Sequence, residues 1–178
     1  MEAPLRVASP VPGRACGTCT LCCKVLPIRA LQKPIGRWCA HCKPGAGCTI
    51  HDTRPDECRG FFCMWLIEPR LGPEWKPEKS KLVITGDATG RNLQIRCDPG
   101  FPQAWRQEPY HSVIRKWAIG ARAEKGVITV TVGMNATVIA PEGEFPLGVM
   151  EENDRIYLDF SGTRLVGARL IKEPLPSH

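Results

Sequence analysis

The back half of the chain shows the two-residue period that β-strands produce. Residues 82–84 form a short apolar run, apolar and polar side chains alternate over 93–97, and a turn containing Gly and Asp at 86–90 lies between the two runs. This pattern predicts a β-hairpin. Cys97 lies on the apolar stripe of the second run, away from the other cysteines, and we expect it to be a core thiol.

Further strands are predicted toward the C-terminus. Residues 127–132 alternate Val or Ile with Thr, and the run at 137–140 is expected to pair with them. Residues 156–160 and 163–171 predict a second hairpin around the Ser-Gly pair at 161–162. The back half therefore contains several short strands.

One long helix is predicted from about residue 109 to residue 124. Its apolar face consists of Val113, Ile114, Trp117, Ala118 and Ala121. Pro109 suits the first turn, and Gly126 ends the helix. One main helix laid on a small antiparallel sheet defines an α+β fold, against which we expect a loop-rich N-terminal module to pack.

The front part of the chain lacks such periodicity. Gly and Pro number 17 each and crowd the first 110 residues, which predicts many loops. We divide the chain into a flexible lead-in at 1–15, a cysteine-cluster metal-binding module at 16–67 and an α+β domain of unknown role at 68–178. The dense apolar run at 61–67 predicts the joint between module and domain, and three prolines within 68–80 predict a linker or surface loop.

Nine of the ten cysteines lie in fewer than 50 residues of this front part, and several are spaced as C-x-x-C. Two thiolates two residues apart can bind one metal ion from a single tight turn, which is the usual arrangement in zinc and iron sites. We therefore predict metal ligands at Cys16, Cys19, Cys22, Cys23, Cys39, Cys42, Cys48, Cys58 and Cys63. His41 and His51 lie among them and are alternative, less favoured ligands.

Zinc and an iron–sulfur cluster are both compatible with the spacing. Two C-x-x-C pairs separated by about 15 to 20 residues form a zinc ribbon, and the pair ending at Cys42 fits that template with either of two earlier pairs. Cys16, Cys19 and Cys22 match a ferredoxin-type run, but its fourth cysteine would fall at Leu26. We expect the side chains of the adjacent Cys22 and Cys23 to diverge, so that both do not face one metal.

Four short segments carry a more specific resemblance. They are CxxCxxCC at 16–23, GCTIH at 47–51, RPDECR at 54–59 and FC at 62–63. Over about residues 16–65 the chain resembles the CxxCxxCC, or YkgJ-like, family of zinc- or iron-chelating cysteine-cluster domains. The resemblance implies ligands at Cys16, Cys19, Cys22, Cys23, Cys48, Cys58 and Cys63, with Cys39 or Cys42 as the family's intermediate cysteine. It implies a metal without specifying a reaction.

The cellular compartment decides between metal binding and disulfides. The first fifteen residues contain three prolines and two arginines and lack the apolar run of a signal peptide, so we expect a cytoplasmic protein with reduced thiols. The chain contains no run of about 18 apolar residues, so no membrane span is predicted. We therefore expect one or two zinc ions in a mainly structural site, or alternatively an iron–sulfur cluster in electron transfer or in an unidentified enzyme.

The charge raises a third hypothesis, a zinc-stabilised module that binds nucleic acid or protein. The net charge is +6 and the pI about 8.9. A site of four zinc-bound thiolates carries about two net negative charges, so the basic residues can balance the cluster itself. Stacking on bases would use the five tryptophans, Trp38, Trp65, Trp75, Trp105 and Trp117. The basic residues are dispersed along the chain, which does not favour nucleic acid.

Overall fold

A five-stranded sheet with one long helix against it forms the centre of the protein. The computed structural model describes residues 9–87, 89–151 and 153–172. The strands are β1 (Cys42–Lys43), β2 (Gly47–Cys48), β3 (Leu82–Gly86), β4 (Leu93–Cys97), β5 (Ile128–Val132), β6 (Asn135–Ala140), β7 (Gly143–Val149), β8 (Arg155–Ser161) and β9 (Arg164–Ile171). The helices are α1 (Cys22–Val25), α2 (Asp56–Arg59), α3 (Met64–Ile67), α4 (Pro77–Ser80) and α5 (Tyr110–Ala123). The α+β class predicted from the sequence is confirmed.

The central sheet follows chain order from β3 to β7, and two separate two-stranded ladders pair β1 with β2 and β8 with β9. Its neighbours are antiparallel except for β4 and β5, which are parallel. The sequence predicted a small antiparallel sheet, and the β4–β5 pair is the one that departs from it. Helix α5 lies between β4 and β5 in the chain and returns it to the same end of the sheet, as a parallel connection requires.

The helix-facing side of the sheet carries the largest hydrophobic core. Ile114 and Ala118 of α5 are buried there, and Ile95 of β4 and Leu82 of β3 are fully buried beneath the helix layer. Cys97 is 1% exposed in the same core, which confirms its prediction as a core thiol. Burial raises its pKa to about 11. Strand alternation places every second residue of β3, β4 and β5 in this core.

Two smaller clusters cover parts of the opposite side of the sheet. Val83 of β3 packs with Leu21 and Leu66 of the cysteine-rich segment. Val138 of β6 packs with Leu165 of the β8–β9 hairpin. The cysteine-rich segment therefore lies over one edge of the sheet, and the C-terminal hairpin lies over the other.

The segment at 68–80 belongs to the core rather than to an exposed linker. Leu71 and Trp75 are 6% and 4% exposed within the main cluster. Pro73 and Pro77 start a 3-10 turn and α4, because a proline at the first helical position has no intrahelical bond to lose. Three prolines in this segment therefore mark two short helical turns.

Part of the predicted lead-in at 1–15 is attached to this segment, and residues 1–8 lie outside the described residues. The backbone N–H of Val11 donates to the carbonyl of Leu66 at 2.7 Å. The Arg14 guanidinium donates to four carbonyls, those of Trp65, Glu68, Pro69 and Leu71. Among the described residues no helix is long and apolar enough to span a bilayer.

Candidate metal centre

One cavity of about 400 Å³ collects all nine cysteines of the front segment. It is lined by Cys16, Cys19, Cys22, Cys23, Cys39, Cys42, Cys48, Cys58 and Cys63. Cys97 does not line it. None of the ten cysteines, all of which lie in the described part of the chain, forms a disulfide. The cysteines predicted from the sequence as ligands therefore share one space, although whether they bind a metal stays a prediction.

Tight turns in the backbone bring the paired cysteines together. The N–H of Cys19 donates to the carbonyl of Cys16 at 2.9 Å, and Gly17 between them has a φ of +54°, which glycine adopts without strain. The N–H of Cys42 donates to the carbonyl of Cys39 at 3.0 Å. These two C-x-x-C sequences are therefore closed turns, and both sulfurs of each reach the cavity.

Backbone contacts join the separate cysteine groups. The N–H of Cys39 donates to the carbonyl of Cys23 at 3.0 Å, and the β1–β2 ladder places Cys42 opposite Cys48. Cys58 lies on α2, and Cys63 is the residue preceding α3. The cavity is thus built from five chain segments that the sequence separates by up to 47 residues between Cys16 and Cys63.

The adjacent thiols of Cys22 and Cys23 do not diverge. Both line the cavity, and a side-chain hydrogen bond joins them, which together with burial raises the pKa of Cys23 far above its ordinary value. The expectation of divergence is wrong because helix α1 begins at Cys22. Neighbouring side chains on a helix are separated by about 100° rather than by the 180° of a strand.

In the described residues no group of three or more His, Cys, Asp or Glu side chains is arranged so that it could hold a metal ion. The donor set fits a thiophilic ion, because nine thiols face one cavity and soft sulfur ligands select zinc, copper or iron–sulfur clusters. The sulfur positions do not form a finished coordination shell. Binding would therefore require the thiols to move closer together around the ion.

Burial raises the pKa of several of the cavity thiols. It raises the pKa of Cys42 to about 11. Burial is also the main cause of the raised pKa values of four further cysteines, Cys16, Cys19, Cys58 and Cys63. A metal ion has to displace the thiol protons, so metal affinity should fall as the pH falls.

Basic side chains lie at and beside the cavity: it is lined by Arg29, Arg54 and Arg96, and Lys33 lies next to its thiols. Lys33 is 8% exposed, and its ammonium donates to the carbonyls of Lys24, at 2.8 Å, and Leu26. Burial lowers its pKa, and the neighbouring thiols Cys23 and Cys39 oppose that shift. A buried cation beside several thiols favours their ionised form and so assists metal binding.

Arg54 and Arg96 line the cavity itself, as does Arg29. The Nε of Arg54 is buried without a hydrogen-bond partner, and its charge opposes the rise in pKa that burial causes at Cys16. Arg59, at the last position of the RPDECR motif, donates to the carbonyl of Arg54 at 2.8 Å and does not line the cavity. The RPDECR motif therefore does contribute a cavity arginine, but from its first position.

The other candidate residues lie away from the thiols. Neither His41 nor His51 lines the cavity, and His51 is exposed beside Asp52. Trp75 and Trp105 are each 4% exposed in the main core, and Trp38 is 40% exposed. Burial of two of the five tryptophans weakens the hypothesis of base stacking, because a buried ring cannot receive a base.

Comparison with protein-family models, with curated proteins and with solved structures gives no match. The resemblance to the CxxCxxCC family therefore depends on the residue pattern alone and stays a prediction.

Proposed function

We propose that the protein binds a thiophilic metal, one or two zinc ions, in the nine-cysteine cavity. The observation that carries this proposal is the gathering of all nine front-segment thiols on one cavity. The ion would be held by a subset of these cysteines, and the charge of the resulting thiolates would be balanced by Lys33, Arg54 and Arg96. The metal would have a structural role, because a closed thiolate site joins segments that lack a large apolar core.

The thiols must be reduced to bind the ion, so we place the protein in the cytoplasm. All ten cysteines are unpaired, which agrees with a reducing compartment. The RPDECR and CxxCxxCC motifs support membership of the zinc- or iron-chelating family.

Elemental analysis of protein purified under reducing, anaerobic conditions tests the proposal. We expect about one or two zinc ions per chain, and loss of most of the metal in Cys23→Ala, since Cys23 contacts both Cys22 and Cys42. Cys97→Ala is the matched control, because that cysteine lies in the main core outside the cavity, and its metal content should not change. Folded protein that is free of metal and binds no added zinc would refute the proposal.

An iron–sulfur cluster is the second candidate, with a role in electron transfer or in an enzyme. The cavity favours it in one respect: about 400 Å³ is larger than a single ion needs. The same anaerobic sample distinguishes the two, because a cluster gives a brown protein with charge-transfer absorption and zinc gives a colourless one. A colourless sample with stoichiometric zinc would exclude the cluster.

A further inference from the structure

A polar groove divides the face of the central sheet that lies opposite α5. The cysteine-rich segment covers β3 through Val83, and the β8–β9 hairpin covers β6 through Val138. Between these two covers, strands β4 and β5 line an open cavity of about 740 Å³. That volume is within the range of small-molecule sites, about 300 to 1,000 Å³.

The side chains on this strip of the sheet are polar although they lie at its centre. Pairing in register places Arg96 beside Thr131 and Gln94 beside Thr129, and all four line the groove. Thr129 and Thr131 are only 7% and 6% exposed. A parallel pair of central strands is ordinarily apolar on both faces. The polar side chains on this strip are therefore suited to binding a polar ligand.

Arg96 lines both the groove and the cysteine cavity. In the described residues no hydrogen bond or ion pair is found for its guanidinium, and burial lowers its pKa. Arg96 is only partly exposed. A partly buried charge without a partner is unfavourable, and a guanidinium binds carboxylate or phosphate through two parallel hydrogen bonds, so an anion in the groove would complete its environment.

The remainder of the groove indicates the shape of the ligand. Met134, Met150 and Ile156 provide an apolar wall, and the carboxylates Asp87, Glu151 and Asp154 lie at the groove as well. Asp154 is paired with Lys172 at 2.6 Å. The carboxylates would repel an anion, and Arg155, the other arginine that lines the groove, already has an interaction partner. This leaves Arg96 as the position for the charged group of the ligand.

We propose that this groove binds a small organic anion whose carboxylate or phosphate group pairs with Arg96 and whose apolar part lies along the methionine wall. The hydroxyls of Thr129 and Thr131 and the amide of Gln94 lie on the same strip and orient the anionic group. Arg96 also lines the cysteine cavity, so the bound anion lies next to the candidate metal centre. The proposal does not require a metal to be bound there.

Titration of the purified full-length chain, followed by backbone amide NMR, tests this site. The probes are phenylacetate and phenyl phosphate, which share a ring and differ in the anionic group, with benzyl alcohol as the uncharged analogue at matched ionic strength. We expect saturable shifts at Gln94, Thr129 and Thr131 with at least one of the two anions and none with the alcohol. The tighter anion identifies the charged group.

Arg96→Gln should weaken binding of that anion by about tenfold or more, because it removes a charge-assisted pair. Lys116→Gln removes the same charge from the exposed face of α5, on the opposite side of the sheet, and should leave the affinity unchanged. Thr131→Val keeps the shape of the side chain and should weaken binding severalfold, which provides a second variant if Arg96→Gln does not fold.

Three results would overturn the proposal. They are the absence of saturable binding by either anion, shifts spread over surface lysines instead of the groove, and equal losses of affinity in the Arg96 and Lys116 variants. If Arg96 served only to balance the thiolates of the cysteine cavity, the first result would be observed, whatever the metal content of the protein.

Discussion

The cysteine-rich segment at 16–63 and the sheet-and-helix unit at 82–140 are stabilised in different ways. The first contains strands of two residues and helices of three or four, whereas the second contains a helix of 14 residues and strands of five or six. Leu82, Ile95 and Ile114 are fully buried in the second unit. The first has a small apolar cluster and nine thiols around a cavity.

This difference indicates which interactions stabilise each region. Hydrophobic burial can hold the sheet and α5 together, since large apolar side chains in contact are the main source of folding free energy. A segment with so little regular structure and so few fully buried side chains needs a further constraint, and a bound metal provides one. The ion pair between Lys24 and Asp98, at 2.5 Å, joins the two regions without supplying that constraint.

Removal of the metal should produce the largest difference in behaviour between the two regions. A structural zinc site contributes on the order of 10 kcal/mol of binding free energy, which is lost on chelation. We expect amides within 16–63 to lose protection from hydrogen exchange after treatment with a chelator, while amides of β4, β5 and α5 keep theirs. Equal protection in both regions before and after chelation would contradict the comparison.

A cavity created in the main core should destabilise the sheet-and-helix unit rather than the cysteine-rich segment. Ile114→Ala removes a fully buried side chain from α5 and should lower the free energy of unfolding by about 3 kcal/mol. Ile119→Ala is the matched control on the same helix, since Ile119 is 59% exposed, and should change stability by less than about 0.5 kcal/mol. Denaturant titration measures both, and similar losses in the two variants would show that α5 does not pack as described.

The elements of the hydrophobic region could largely be predicted from the sequence. Short apolar or alternating runs located both strands of the first hairpin and the β8–β9 hairpin, and helical spacing located α5 to within a residue at each end. Strand β7 was missed because Pro146 and two glycines interrupt its pattern. The parallel pairing of β4 with β5 was missed because alternation identifies a strand but not its neighbour.

The cysteine region was predictable in its chemistry and less so in its surroundings. Spacing alone grouped the nine cysteines, because C-x-x-C turns have a narrow range of geometries. The cations Lys33 and Arg96 could not be predicted, since they reach the thiols only through the folded chain. Leu71 and Trp75 were assigned to a linker because proline density resembles that of a loop, while their burial is a tertiary property.

Arg14 connects the start of the described chain to the segment between the two regions, and its loss should have an intermediate effect. Its guanidinium donates to the carbonyls of Leu71 at 2.7 Å and Glu68 at 2.9 Å, among others, and lies 5.3 Å from the centre of the Trp65 ring. Arg14→Ala should lower the free energy of unfolding by about 2 kcal/mol, because hydrogen bonds from a charged donor are lost.

Arg70→Ala is the matched control for Arg14, as its side chain is 87% exposed and pairs only locally with Glu68. Exposed pairs contribute little, so we expect a change within about 0.5 kcal/mol. Thermal unfolding compares the two variants. If both had the same midpoint as the parent protein, the Arg14 contacts would not contribute to stability.

Acid should distinguish the regions by the pH at which each responds, with the smallest effect at the turn between β3 and β4. Hydrogen bonds from Thr89 and Asn92 lower the pKa of Asp87 to about 2, whereas an unfolded Asp has a pKa of about 3.9. Because the folded pKa is the lower one, the stabilisation is complete above about pH 4 and is lost as the pH falls toward 2.

Metal-bound thiolates should be protonated at higher pH than this, since acid competes with the ion for every sulfur. We therefore expect NMR signals of 16–63 to change first on acidification and those of the turn to change last, and Asp87→Asn should remove only the second change. A midpoint near 4 for Asp87 would show that its hydrogen bonds do not stabilise the turn.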